Sequence, residues 1–281
     1  MPHRPINELR NLPRGTGGSH RRAAIEMFRR GDFAWIKDYS KRALDQPARF
    51  RAPHADSIFA MPANEQEITV ALFGDWATGT NESAKIASLI EDQEEPHYTI
   101  HLGDVYYVGS REFIEENCRG IEQPNGYDPV TLPTGRLRSF AMNGNHEAYA
   151  RDGAYFYWIT KHLSQPSSCF CLHNDHWCIL ALDTGYNSEG IPWIGWIGES
   201  LGWKSLMPRC ELPKSVLHWV RHDVQPYLTP ARGLLLLTHH QPCSAFDNEY
   251  VNPGRTIGRY PRFCGAYTPL VLGTRAPPGR L

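Results

Sequence analysis

No stretch of this chain is long and apolar enough to cross a bilayer; even the aliphatic run Leu234 to Leu237 has only the length of a strand. Charge of one sign is also missing. A formal net charge of -1 gives no electrostatic pull toward nucleic acid or anionic membranes, so neither is expected as a partner. The first residues, Met1 to Arg14, are polar and lack the apolar centre of a signal peptide. The seven cysteines, Cys118, Cys169, Cys171, Cys178, Cys210, Cys243 and Cys264, form no CxxC pair, and an odd, scattered set excludes a disulfide framework. These absences together make a reducing, cytoplasmic location the expectation. Internal repeats and low-complexity tracts are absent too.

What is present is ordinary in composition and specific in pattern. Hydrophobic residues make up 41% and charged residues 21% of 281 positions, enough for one large domain with a sizeable core. Residues 1–66 read as an N-terminal arm followed by one or two amphipathic helices, between Ser19 and about Gln46, broken near Gly31-Asp32. Their many Arg and Lys side chains read as a solvated face before they read as a contact for a phosphate-rich partner. Residues 67–269 are the core, and residues 270–281 form an aberrant tail. In the core, strands are expected at Ile68–Phe73, Tyr98–Leu102, Ser139–Met142, Cys169–Leu172, Trp177–Leu182 and Gly233–Thr238, the fourth and fifth joined as a hairpin. Helices are expected at Asn81–Ile90 and Ser215–Leu228. Strands alternating with helices, with continuous apolar strands, argue an α/β fold whose sheets are covered on both faces. Ile191 to Trp203 is an aromatic insertion suited to packing.

Four of those strands run into a metal-capable side chain: Asp75, Asp104, Asn145 and His239. In α/β sheets, ligands bind beyond the carboxyl ends of strands, where loops converge. Oxygen donors combined with imidazole suit Mn, Fe, Zn or Mg over thiolate-seeking metals. One Asp after a strand is a turn or helix-cap residue. Four such residues, each with a glycine or histidine neighbour, read as one site.

The segments Gly74-Asp75, Gly103-Asp104-Val105-Tyr106-Tyr107, Gly144-Asn145-His146-Glu147 and Thr238-His239-His240 resemble the successive motifs of calcineurin-like metallophosphoesterases, and are closest in form to the purple acid phosphatase branch. The likeness covers about residues 68–246. It implies a four-layer αββα sandwich of two mixed sheets. It further implies a pair of divalent or trivalent ions (Fe, Mn or Zn) and hydrolysis of phosphate mono- or diesters by water activated at that dinuclear site. By the same resemblance Asp104 bridges the ions, Asp75 binds the first, and Asn145 and His239 bind the second. The wider family adds a histidine two residues after the first Asp. Here that position is Ala77, and the resemblance makes Tyr107 the replacement ligand. His146 is implied as the catalytic imidazole beside the phosphate, stabilising the leaving oxygen or donating a proton. His240, one residue on from the strand end, is expected to point elsewhere. Asp183-Thr184 is expected to serve a turn or packing, Cys243 to be a packed thiol, and loops 148–166 and 185–213 to set the substrate.

The family closes its ligand set with Gly-His-x-His, and no such segment follows His240. Back-translated and read one base later, the tail from Leu270 encodes Trp-Phe-Trp-Gly-His-Glu-His-Arg-Leu-Ala-Val with admissible codons. A frameshift just before Leu270 is therefore expected, with the last strands of the sandwich missing and activity weak. Resequencing the DNA checks this: a shifted frame without Gly-His-Glu-His would remove the idea. The alternative reading is a non-catalytic protein on the same fold, the final histidines being absent.

Overall fold

Nearly continuous apolar runs give most of the core strands two buried faces, and two sheets result. In the computed structural model the described residues are 42, 45–63, 65, 67–125, 127–188, 212–240 and 270–271. The elements are β1 (Ile58–Ala60), β2 (Val70–Phe73), α1 (Asn81–Leu89), β3 (Tyr98–His101), α2 (Arg111–Asn117), β4 (Arg138–Ala141), α3 (Asn145–Ala150), α4 (Ala154–His162), β5 (Phe170–His173), β6 (Trp177–Leu182), α5 (Lys214–Trp219), β7 (Gly233–Thr238) and β8 (Leu270–Val271). Strands β2, β3 and β4 form a three-stranded parallel sheet with α1 and α2 as crossovers. The second sheet has the order β1-β5-β6-β7-β8 and is mixed, antiparallel at the β5–β6 hairpin and parallel elsewhere. The protein is thus α/β with two sheets.

Side-chain alternation distributes the core. Ile100, Leu102, Phe140 and Met142 of the parallel sheet share one buried cluster with Phe170, Leu172, Ile179, Ala181 and Leu237 of the mixed sheet. Phe140 and Phe170 stack at its middle with ring centroids 4.5 Å apart. Ala141 instead joins Ala87, Ile114, Tyr155 and Ile159, contributed by α1, α2 and α4. Cys171, Cys178, Leu180, Leu234 and Leu236 meet Val216, Trp219 and Val220 of α5 and the turn after it. The cysteines among the described residues are free and buried.

Local chemistry sets the helix ends. Thr80 caps α1: its hydroxyl accepts from the Ser83 N–H at 3.3 Å, and the Ser83 hydroxyl accepts from the Thr80 N–H at 2.9 Å. The helix stops at Leu89 and widens into a π turn, Ile90–Glu94, that closes on Glu95 at φ 37°. The long helix expected over Ser215–Leu228 is broken likewise. After Trp219 it passes into a π turn, Val220–Val224, and then a 3-10 turn, Gln225–Tyr227, in which Pro226 has no N–H to continue the ladder.

The structure differs from expectation elsewhere too: the β2-β3-β4 sheet is wholly parallel where the resemblance implied two mixed sheets, its three short strands being joined by crossovers. Within 148–166, α4 is a helix built on buried Tyr155, Phe156, Trp158 and Ile159, a helical spacing that its aromatic content obscures. β1 lies inside the 1–66 segment, yet pairs with β5 over Ile58–Ala60 as an edge of the mixed sheet. At the other end Leu270 and Val271 pair with β7. The amphipathic helices expected before Gln46 (Arg42 and 45–46 apart), the aromatic insertion Ile191–Trp203, Cys210, Cys243, Cys264 and the tail after Val271 lie outside the described residues. No described helix is long and apolar enough to cross a membrane.

Candidate metal centre

Three strand ends of the parallel sheet and one of the mixed sheet carry the residues singled out by sequence. Asp75 follows β2, Asp104 follows β3, Asn145 opens α3 after β4, and His239 follows β7. The backbone there is unusual. Asp75 and Asp104 both adopt left-handed conformations, with φ of 55° and 73°. Asp tolerates that region better than most residues, and strain of this kind collects at functional sites. Gly103 has φ 109°, and a Cβ on it would lie 2.7 Å from the Gly144 nitrogen. A Cβ on Gly144 would lie 2.2 Å from Asp104 Oδ1 and 2.6 Å from the Asp104 nitrogen. The two motif loops therefore touch backbone to backbone. Gly144→Ala is expected to cost about 1–3 kcal/mol by overpacking, read as a lower urea midpoint, because the atoms it strikes are main chain or buried carboxylate.

Asp104 sits at the centre, 4% exposed. Its Oδ1 accepts from the His146 N–H at 3.2 Å and lies 3.4 Å from His239 Nε2. Its Oδ2 lies 3.8 Å from His146 Nε2. His239 Nδ1 is 3.0 Å from the Leu102 carbonyl, an acceptor only, so this nitrogen carries the proton. In the neutral imidazole Nε2 is then bare, and it faces Asn145 Oδ1 at 3.1 Å. The Asn145 amide nitrogen is turned away, donating to the Tyr149 hydroxyl at 3.0 Å, which leaves its oxygen on the His239 side. An imidazole nitrogen, an amide oxygen and a carboxylate oxygen thus converge, and with the ring neutral all three are lone-pair donors. A cation would satisfy such a set, and these donors are ones that Mn, Fe or Zn accept. A group of three or more His, Cys, Asp or Glu side chains with metal-holding geometry does not occur among the described residues; the convergence uses an asparagine.

His146 directs Nδ1 at the Tyr107 carbonyl, leaving Nε2 on the Asp104 side, and its ring lies between Tyr106 and Tyr149, with centroids 4.4 and 5.4 Å away. Asp75 joins this group less directly. Its N–H donates to the Gly103 carbonyl at 3.1 Å, and its carboxylate accepts from the Tyr106 hydroxyl at 2.8 Å. Burial, followed by the Asp104 and Asp75 carboxylates, holds the Tyr106 phenol well above its usual pKa range. The Tyr107 ring packs edge-on against Phe113, with centroids 6.3 Å apart. The tyrosine hydroxyl that reaches Asp75 is that of Tyr106. Asp104, Asn145, His146 and His239 are brought into direct contact. Asp75 is tied to them through Gly103 and Tyr106.

Several supporting residues carry more than their sequence context announced. Glu147, a buried residue, accepts from the N–H groups of both Asp104 and Gly144, and burial together with the Asp104 charge pushes its carboxyl well above the usual range. Asp183 accepts from Ser168, from Asn143 at 3.4 Å and from the Gly185 and Tyr186 N–H groups at 2.9 and 2.8 Å, bracing the loop before Gly144. Thr184 Oγ1 takes the His240 N–H at 3.0 Å and lies 3.1 Å from its Nδ1, which turns His240 away from Asp104. A polar residue at the end of a buried strand was the signal for both.

His101 lies beneath the site, unexposed, with both ring nitrogens unpartnered and its ring 5.6 Å from Phe73 and 6.2 Å from Trp76. Burial pulls its pKa from 6.5 down to about 3, against an upward pull from Asp75. The folded state keeps it neutral while the unfolded chain protonates it below 6.5, so its contribution to stability is full above pH 6.5 and is lost toward pH 3. The expected slope from this one group is at most about 1.4 kcal/mol per pH unit. His101→Phe should flatten that limb in urea titrations run at pH 7 and pH 4.5.

No family model matches the chain, and no curated protein matches it.

Proposed function

We propose that the protein is a metal-dependent phosphoesterase acting on phosphate mono- or diesters, with a pair of Fe, Mn or Zn ions held by Asp75, Asp104, Asn145 and His239. The observation that carries the reading is the convergence of Asn145 Oδ1 and Asp104 Oδ1 on His239 Nε2 at 3.1 and 3.4 Å, three atoms that are all lone-pair donors when the ring is neutral. The motif order, and the resemblance to calcineurin-like metallophosphoesterases it brings, supports the same conclusion. On this reading the parallel and mixed sheets are the inner layers of an αββα sandwich, with α1, α2 and α4 outside one and α5 outside the other. A tyrosine of the second motif completes the first ion's ligands: Tyr107 by resemblance.

Bound ions would lower the pKa of water and neutralise phosphate charge. The chain's own residues supply the rest. Asp104, anchored by the His146 N–H, presents Oδ1 to His239 and Oδ2 to the His146 ring. His146, whose Nδ1–H is committed to the Tyr107 carbonyl, would act as the imidazolium, giving its Nε2 proton to a departing alkoxide and being left as the neutral ring. Tyr106 and Tyr149 wall the imidazole on two sides and give an ester's organic group an aromatic surface.

The test is metal analysis joined to hydrolysis of a generic aryl phosphate after loading with Mn, Fe or Zn in turn. The reading expects bound metal in near two-to-one ratio and hydrolysis that chelators abolish. Tight metal binding with no hydrolysis by the chain or by a version carrying Gly-His-Glu-His would leave the non-catalytic alternative, and no metal binding by either would end the proposal.

A further inference from the structure

Glu147 makes one more bond than a helix cap requires. It stands at the third position of α3 and is 5% exposed. Capping the helix needs only the Gly144 N–H, which its Oε2 accepts at 3.0 Å. The same oxygen also accepts from the Asp104 N–H at 3.1 Å, a residue 43 positions away at the end of another strand. The clasp is reciprocal. Asp104 Oδ1 takes the His146 N–H from the first turn of α3 at 3.2 Å. A third loop closes over it: a Cβ on Gly109 would lie 2.5 Å from the Glu147 Cα and 2.9 Å from its nitrogen. The second carboxylate oxygen, Oε1, is buried with no hydrogen-bond partner.

We infer that Glu147 is a positioning residue that fixes the separation of Asp104 from Asn145, and with it the spacing of the two metal sites. This inference rests on the dinuclear reading given above. Its physics is simple. Asp104 is buried beyond the end of β3, outside the strand ladder, so its N–H needs an acceptor from elsewhere. Glu147 supplies that acceptor from the element that also starts with Asn145. One oxygen therefore sets where the shared carboxylate and the second-ion amide stand relative to each other. Groups that orient ligands in this way typically govern metal affinity by about 10- to 100-fold.

The experiment uses the full chain and Mn2+ as the probe, with calorimetric titration, electron paramagnetic resonance and thermal melting run together. Glu147→Ala removes the acceptor, and Glu147→Asp shortens the side chain by one methylene so that it cannot span both N–H groups. Both are expected to weaken one of the two ions by about 10- to 100-fold and to replace the exchange-coupled signal of an ion pair with that of isolated Mn2+. Glu147→Gln keeps an oxygen in place for both N–H groups and should retain the coupled pair. Folded Ala and Asp variants that keep the wild-type affinity and coupled signal would overturn the inference, whatever their melting temperatures, and leave Glu147 a helix cap. Should Glu147→Ala not fold, the Asp and Gln pair carries the decision. If neither the wild-type chain nor the version carrying Gly-His-Glu-His binds an ion pair, this inference and the dinuclear reading fall together, whereas normal wild-type binding with unaltered variants sinks this one alone.

Discussion

Asp104→Asn is expected to cut phosphoesterase activity by about 1000-fold, equivalent to about 4 kcal/mol of transition-state stabilisation, while changing the stability of the metal-free protein by no more than about 1 kcal/mol. Both effects follow from the same geometry. Asp104 Oδ1 faces His239 Nε2 at 3.4 Å, and that nitrogen in turn faces Asn145 Oδ1 at 3.1 Å. A side-chain NH2 in place of Oδ1 could donate to His239 but would forfeit the acceptor of the His146 N–H, two changes of about 1 kcal/mol each that offset. Asparagine also accepts the φ of 73° at this position as readily as aspartate. What it cannot do is bridge two cations with two anionic oxygens. The divergent outcome separates function from folding. In chelator the Asn variant should melt close to the wild type; with Mn2+ added the wild type should rise and the variant should not, since only binding to the folded state raises stability. A variant with lower stability and proportionally lower activity would assign Asp104 to the scaffold instead.

That the site residues could be read from sequence at all is a consequence of where strands end. Asp75, Asp104, Asn145 and His239 each stand within a few residues of an apolar run, and an apolar run is the most legible element a sequence offers. The β5–β6 hairpin was legible for the same reason. What escaped reading depended on partners distant in the chain. β1 is three residues long and exists because Ile58–Ala60 finds β5 more than a hundred positions later. α4 is rich in Tyr, Phe, Trp and Ile, residues of strand propensity, and packing against α2 and Ala141 made it a helix. The π turns after Leu89 and Trp219 leave no mark on a helical pattern. Tyr106 and Tyr107 are adjacent, and which hydroxyl faces Asp75 is a question of loop conformation that spacing does not answer. Glu147 announced itself as the end of a motif; its second bond, to Asp104, needed the fold.

Phe140→Ala is expected to destabilise the protein by about 3–5 kcal/mol, a large share of the roughly 5–15 kcal/mol that holds a domain of this kind together. Phe140 is fully buried and stacks on Phe170 at 4.5 Å across the space between the sheets, with Phe59 edge-on at 5.2 Å and the Arg138 guanidinium 5.2 Å from its ring centre. Its removal leaves a cavity between layers that twisted sheets cannot easily close. The consequence reaches the metal centre because the centre belongs to neither sheet alone. Asp75, Asp104 and Asn145 follow strands of the parallel sheet, and His239 follows β7 of the mixed one. Any loosening of the layer between them lets His239 drift from Asn145 and Asp104. The variant should therefore lose affinity for Mn2+ as well as stability, and saturating Mn2+ should restore part of its melting temperature by drawing the sheets together. Phe140→Leu, which keeps most of the volume, should lose less than half as much on both measures. Urea titrations with and without Mn2+ decide the matter: a stability loss with unchanged metal affinity would mean that the two sheets hold their separation without this ring, and that the loops alone set the geometry of the site.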